Sequence, residues 1–417
     1  MKAICLTVTN DLTYDQRMHR IAGSLATHGY AVTLVGRRLP HSVDLDARPF
    51  RQHRLRCYWN KGFLFYAEYN LRLFFYLMRA SWDAVGVVDL DTLPAGTLAA
   101  LLKRKARVFD AHEYFTEVPE VTGRPVVKAF WNGVARIFLP FYRHAYTVGP
   151  ALANLFSEKY GIPFQAIRNA PSAIGHRPSA IGHRPSEIGH RPSEIGHRPS
   201  EIGYQPSEIG HRKSAIGHRQ SAIGNRHSTL DTRHSTLRIL VYQGALNEGR
   251  GIEAMLEAMT RLEGVQLWLA GEGDLSGKLR RQAAEPGLQD KVRFLGFVRP
   301  DDLKDITRQA WMGLNLLENK GLSYYYSLAN KYFDYVQAGV PVLTMDFPEY
   351  RALQVRHAVA VLLPDLRVEN IVNAIQNLMD HPDQYDRLAE ACRGAREEWV
   401  WAREEQTLLA VWADAMG

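Results

Sequence analysis

Cysteine is scarce in this chain. Only Cys5, Cys57 and Cys392 occur in 417 residues, far apart and without a CxxC pair. That excludes a disulfide framework and a cysteine-based zinc site, and it fits a reducing compartment. No apolar run reaches the roughly 18 residues that a membrane-spanning helix needs. The opening MKAICLTVTNDLTYDQR turns polar early and lacks the long apolar core of a secretory signal. A cytoplasmic protein is expected. Neither GxxxxGK[ST] nor GxGxxG is present, which excludes a P-loop and the simple dinucleotide fingerprint. No zinc-finger or aromatic RNA-binding pattern occurs, so nucleic acid is not an expected partner. Excess charge is modest: the formal net is +7 with a pI near 9.2. Nine Lys/Arg against five Asp/Glu between Pro171 and Thr236 account for +4 of it. This balance suits an anionic partner such as a nucleotide or an acidic membrane surface.

What is present reads as two α/β domains. Short apolar runs (AICLTVT, YAVTLVG, AVGVVDLD, ARVFDAHE, AYTVG) alternate with helical stretches such as QRMHRIAGSLATHG, where Met18, Ile21, Ala22 and Leu25 share one face. That alternation predicts a parallel, doubly wound sheet. The plan repeats after residue 237 with LRILVYQGAL, GIEAMLEAMTRL, VQLWLAGEGD, KVRFLGFV, WMGLNLL and VPVLTM. Expected boundaries are 1–168 for the first Rossmann-like domain, 169–236 for a link, 237–390 for the second domain, and 391–417 for a closing amphipathic helix. The link holds eight heptads of the PSAIGHR type from Pro171 to Arg226. One Ile per heptad cannot make a coiled-coil seam, and Pro and Gly break helices. A disordered or loosely extended heptad-repeat insertion is expected, with a short-repeat solenoid as the alternative. Its eight histidines lack Cys or carboxylate partners at ligand spacing, so no metal site is assigned.

In doubly wound sheets, ligands sit beyond the carboxyl ends of the strands. Those ends carry Asn10, Asp11, Asp89, Asp91, Asp110, His112 and Glu113 in the first half. The acids suit substrate hydroxyls or helix caps, and His112 suits either a structural or a functional place. In the second half, SLANKYFDYVQAGVPVL predicts a helix starting near Ser327. Asn330, Lys331 and Asp334 then share one face. A helix N-terminus plus a lysine suits a diphosphate, and an aspartate one turn on suits ribose hydroxyls. A surface Lys–Asp pair on a packed helix satisfies the same pattern. YQGALNEGRGIEAML sets Gly244 and Arg250 in a glycine-rich turn after a strand, where backbone and guanidinium can approach phosphate oxygens. A tight turn with a solvated arginine is the alternative. Gly271 and Gly273 in AGEGD, and Phe297 in LGFV, stand at further strand ends. Finally, Tyr58 to Asp83 is dense in aromatics with Lys61, Arg72 and Arg79 among them. It reads as a helix packed on the sheet or as an element that touches a membrane interface.

Taken together, GALNEGRGIE, GEGD, LGFV and NKYFDYVQAGVPV resemble the GT-B glycosyltransferases, and more narrowly the retaining glycosyltransferase family 4. TNDLTYDQRMHRIAGSLATHGYAVTLVG and DAHEYF resemble the acceptor domain, and WAREEQTLL resembles the helix that crosses back to it. The resemblance covers nearly all of the chain except the heptads. It implies two Rossmann-like domains facing a cleft. It implies transfer of a sugar from a nucleotide-sugar donor to a glycan or lipid-linked acceptor, with retention and without a metal or other cofactor. By resemblance, Arg250 and Lys331 hold the diphosphate, Asp334 binds ribose, and His112 lies near the donor sugar. Gly244, Gly271, Gly273, Phe297 and Asn330 complete the donor side, while Asp11, Asp91 and Glu113 stand on the acceptor side. The family pairs two glutamates eight residues apart; Tyr326 occupies the first place here, with Glu318 as the substitute from the preceding loop. Peripheral association with the inner membrane surface is a further expectation. A sugar-nucleotide 2-epimerase and a non-enzymatic scaffold share the same pattern.

Overall fold

The computed structural model describes residues 1–13, 15–40, 42–172 and 237–417. The heptads beyond Ser172, and with them the expectation of a disordered insertion, lie outside the described residues.

Two parallel sheets form. The first holds β1 (Ala3–Thr7), β2 (Ala31–Arg38), β3 (Arg51–Arg56), β4 (Ala84–Val88), β5 (Ala106–Ala111), β6 (His144–Thr147) and β7 (Phe164–Ala166). Its order is β3-β2-β1-β4-β5-β6-β7. The second holds β8 (Arg238–Gln243), β9 (Val265–Ala270), β10 (Val292–Gly296), β11 (Met312–Asn315), β12 (Val342–Met345) and β13 (Ala360–Leu363). Its order is β10-β9-β8-β11-β12-β13. In both sheets the order reverses beside the first strand, between β1 and β4 and between β8 and β11. Those two switch points open crevices at the strands' carboxyl ends.

The two-residue period of a strand assigns its side chains to the layers on either side. Ile4 and Leu6 enter one core with Met18, Ile21 and Leu25 of the Gln16–Thr27 helix. Cys5 between them enters the opposite core, with Phe65, Tyr69, Leu73 and Leu77 of the Gly62–Arg79 helix. The second sheet has one large core around Tyr332, Phe333, Tyr335 and Val336. β3 is polar and arginine-rich (RQHRLR), which suits its place at a sheet edge.

The chain returns to the first domain at its end. Cys392, Ala395 and Trp399 belong to the second core, whereas Trp401, Leu408 and Trp412 of the Trp401–Met416 helix belong to the first. Residue 391, the expected boundary, lies inside the Pro382–Glu398 helix. Trp401 Nε1 donates to Ser24 Oγ at 2.7 Å, and Arg168 pairs with Glu404 at 2.6 Å. Among the described residues, no helix is long and apolar enough to cross a membrane.

Candidate active site

A cleft of about 670 Å³ lies where the two switch points face each other. Asn10, Arg17, His112, Glu113 and Asn169 line it from the first domain. Gly244, Arg250, Asn330, Lys331 and Asp334 line it from the second.

The second-domain wall is built on the strand–turn–helix that follows β8. Gly244 closes the strand at φ +129°, and a Cβ there would stand 3.4 Å from Lys331 Nζ. That φ strains any other residue, so glycine fits this turn beside the lysine. The helix behind it spans Asn330–Gln337, with Ala329 as its N-cap and no side-chain cap. It begins three residues later than the sequence predicts. Ser327 Oγ donates to the Tyr324 carbonyl at 2.8 Å, so it finishes the preceding turn instead of capping this helix. Gly313 of β11 makes room for the Tyr335 ring, and the Tyr335 hydroxyl accepts the Gln243 N–H at 3.1 Å. Gln243 in turn donates to Asp334 Oδ2 at 3.2 Å and accepts from Thr307 Oγ1 at 2.9 Å. The Asp334 carboxylate is thus held in place from the core side.

Charge in this wall is unbalanced. Lys331 Nζ sits 3.7 Å from the centre of the Tyr242 ring, and the Arg250 guanidinium lies 5.2 Å from that of Tyr324. Arg250 Nε is buried without a hydrogen-bond partner. Burial, and then the like charge of Arg250, push the Lys331 ammonium well below the ordinary lysine range, with Asp334 offsetting part of this. Burial lifts Asp334 to about 6, against the pull of Arg20 and of the Gln243 amide. An anion that enters beside Arg250 and Lys331 favours the charged form of the lysine that burial and Arg250 oppose.

The opposite wall is a hydrogen-bonded chain. Arg17 Nη2 donates to Asp110 Oδ1 at 2.9 Å, and Arg17 Nη1 to the Ile167 carbonyl at 2.8 Å. Asp110 Oδ2 meets His112 Nε2 at 3.0 Å. The His112 N–H donates to Asp89 Oδ1 at 2.8 Å, and Asp89 takes the left-handed φ of +53°. Burial opposes charge on His112, but the Asp110 carboxylate and then Asp89 outweigh it, and its pKa rises to about 9. At neutral pH, His112 is an imidazolium with Nε2 committed to Asp110, so Nδ1 is the nitrogen left for a ligand.

Of the sequence-derived candidates, His112, Glu113, Gly244, Arg250, Asn330, Lys331 and Asp334 meet in the cleft. Asp89, bonded to the His112 N–H, does not line it, and neither do the six that follow. Asp11 accepts from the Thr13 N–H and the Ser42 hydroxyl, each at 3.0 Å, and braces its own loop. Asp91 is buried, bonded to Thr9, and raised to about 6 by burial. Gly271 is pressed against the Gly244 carbonyl, and Gly273 against Leu246 and Asn247. Phe297 is 67% exposed beyond β10. Glu318 pairs with Lys320 at 2.7 Å and borders a separate surface hollow with Glu253 and Arg367. Conversely, the sequence pattern does not single out Arg17, Asn169 or Gln243. The one local signal is for Arg17, a charged residue beside Met18 on the apolar stripe of its helix.

Residues 238–381 match the family model described as "Glycosyl transferases group 1". That stretch is similar to the group 1 glycosyl transferases, and the chain has the GT-B fold. A 59-residue stretch is 36% identical to the lipopolysaccharide core biosynthesis glycosyltransferase LpsE of Rhizobium meliloti. That match spans 14% of this chain and 17% of the relative's length. Among solved structures, the sucrose-phosphate synthase of Thermosynechococcus elongatus superposes with a TM-score of 0.69 at 14% identity, covering 99% of each chain. Anabaena HepE in complex with UDP and glucose gives 0.67 at 12% identity, covering 99% of this chain and all of that one. At these identities the structural likeness carries the GT-B fold alone.

Proposed function

We propose that the protein transfers a sugar from a nucleotide-sugar donor to an acceptor hydroxyl of a cell-surface glycan, with retention of anomeric configuration. The observation that carries this reading is Arg250 and Lys331 lining one wall, with no ion pair to either among the described residues, beside the Gly244 backbone and the Asn330–Gln337 helix, which has no side-chain cap. A diphosphate supplies an anion to both side chains, and helix N–H groups add to its binding. Asp334, one turn further, accepts ribose hydroxyls. Asn330 borders the same pocket.

In the reaction, the bond from the anomeric carbon to the diphosphate oxygen breaks, and the electron pair leaves with that oxygen. Arg250 and Lys331 hold the developing charge, and fixed cations of this kind are the strongest aid such a site can give to a departing anion. The acceptor oxygen bonds to the anomeric carbon from the same face, and its proton passes to the departing phosphate oxygen. The His112 imidazolium donates to the donor sugar from the opposite wall, beside Glu113 on the acceptor side. The reading assigns the charge of the leaving group to side chains, with no metal or resident cofactor. It sets the enzyme in the cytoplasm with a glycan or lipid-linked acceptor at the membrane surface.

Isothermal titration with UDP-, GDP- and ADP-sugars, followed by product analysis, tests this. HepE holds UDP and glucose, so UDP-sugars are the first donors to try. Lys331→Ala is expected to abolish donor binding and turnover, and Lys331→Arg to keep binding. Because the Lys331 pKa is depressed in the free protein and diphosphate favours the ammonium, donor binding takes up protons at pH values between the depressed and the ordinary lysine pKa. Titration in buffers of different ionisation enthalpy reads that uptake, and Lys331→Arg should lack it. Wild-type turnover in Lys331→Ala sinks the reading. A donor converted with no acceptor product gives the site to an epimerase instead.

A further inference from the structure

The Gly62–Arg79 helix is apolar on two opposite sides. Phe65, Tyr69, Leu73 and Leu77 are buried against the first sheet. Phe63, Leu64, Leu71, Phe75 and Met78 recur at helical spacing on the outer side and are 36–65% exposed. A helix that is apolar all round belongs inside something.

Its neighbours behave alike. The Leu93–Lys103 helix exposes Leu98, Leu101 and Leu102, and the Pro125–Phe138 helix exposes Val126, Phe130 and Ile137. These helices pack side by side, and Phe63 meets Phe130 edge-on at 5.7 Å. Eleven of the twenty exposed large apolar side chains among the described residues lie on these three helices, so they form a patch and not a scatter. Monomeric soluble proteins rarely leave such a patch bare. Tyr58 and Trp59, 83% and 48% exposed, lead into it.

The charge around the patch has one sign. Residues 61–79, 93–105 and 124–143 hold ten Lys/Arg and one acid, Glu68. Glu68 is buried and consumed by the Tyr58 and Trp59 N–H groups and by Arg72. Lys105 and Lys128 pair with Asp83 and Glu117. Lys61, Arg79, Arg104, Arg124 and Arg136 remain exposed, with no ion pair among the described residues.

We infer that this three-helix face docks on the surface of a bilayer containing anionic phospholipid. The inference rests on the membrane association proposed above and assigns it a surface and a lipid charge. Apolar side chains enter the interfacial layer while flanking cations meet phosphate headgroups. A second copy of the chain is disfavoured as occupant, because it would set like charges face to face. The patch also reaches toward the cleft. Trp131, under Phe130, touches Phe115 at a ring distance of 5.0 Å, and Phe115 stands three residues beyond His112. An acceptor anchored in the same bilayer would then meet the cleft without leaving the membrane.

Flotation of the full chain with phosphatidylcholine vesicles, with and without phosphatidylglycerol, tests the inference. Binding to the anionic vesicles is expected to be about tenfold tighter or more, and to weaken with salt. Leu71→Ser/Phe75→Ser should lower it by about tenfold or more, since both side chains are exposed in the free protein. Arg104→Glu/Arg136→Glu should lower it similarly and flatten the salt dependence. Both variants should bind donor as the wild type does, which separates failure of this face from failure of the transfer reading. Equal binding to neutral and anionic vesicles, no binding to either, or wild-type binding by both variants overturns the inference. So does a dimer in light scattering that the apolar variant abolishes, which would give the face to a second copy.

Discussion

Asp110 serves two cations at once. It is 2% exposed, paired to Arg17 on one oxygen and to His112 on the other. Burial works to raise its pKa, but the Arg17 and His112 charges win and hold it below the usual carboxylate range. The same pairing explains why His112 rises to about 9 while lining the cleft. The sign follows directly. The imidazolium is present at neutral pH and is lost as pH rises through about 9. Asp110→Asn removes the carboxylate that sustains it, so His112 should titrate at lower pH. The alkaline limb of kcat/KM should move down with it, and imidazole NMR resonances should report the same shift. A limb that stays in place would show that the His112 charge does not govern the reaction. The substitution also leaves Arg17 buried without its counter-charge, at a cost of up to about 3–5 kcal/mol. Thermal unfolding should be recorded beside the pH profile.

At the scale of the element, Gly86 in the middle of β4 decides whether the last helix can dock. A Cβ there would stand 2.5 Å from Leu6 Cδ2 and 2.9 Å from Trp412 Cη2. Trp412 is fully buried in the first-domain core. Gly86→Val should therefore push Trp412 and its helix off the sheet, costing about 1–3 kcal/mol by overpacking. Trp412→Ala alone leaves a cavity worth about 3–5 kcal/mol. Combined, the two should cost less than their sum, because the valine fills space that the indole vacates. Denaturant unfolding of the four proteins reads the difference, and strict additivity would refute the contact. Elements such as this helix are legible in the sequence because their periodicity is strong, as in LLAVWADAM. β1 and β8 are legible as short apolar runs. β3 is not, because an edge strand needs only one half-buried side and RQHRLR carries no apolar signal. The Asn330 helix is legible in type but not in its start, since Ser327 has a competing local bond. The cleft's cations and His112 stand at strand and helix ends that topology makes predictable. Arg17, Asn169 and Gln243 join them only through contacts distant in sequence, and Glu318 leaves them for a neighbouring lysine.

Across the whole molecule, one buried carboxylate clasps the two domains. Glu349 begins the Pro348–Arg356 helix of the second domain and is 1% exposed. Its Oε1 accepts the N–H groups of Ala151 and Leu152, at 2.9 and 3.1 Å. Those residues open the Pro150–Tyr160 helix of the first domain, so the anion faces the positive end of that helix. Burial raises the Glu349 pKa, and the two amides and Arg168 partly offset this. A second close approach lies nearby, where the Glu117 carbonyl stands 2.8 Å from where a Cβ on Gly321 would be. The catalytic reading needs Lys331 and His112, one from each domain, to face one donor, and the Glu349 contact helps to fix that alignment. Glu349→Ala leaves two helix N–H groups without an acceptor, at about 1–3 kcal/mol. Glu349→Gln keeps an oxygen acceptor and should recover part of the loss. Calorimetry of Glu349→Ala should show a broader or more divided unfolding profile than the wild type as the domains uncouple. Limited proteolysis should cut faster, and kcat/KM should fall while donor affinity of the second domain changes little. An unchanged calorimetric profile together with unchanged kcat/KM would mean that the domains are aligned by the crossing Trp401–Met416 helix alone.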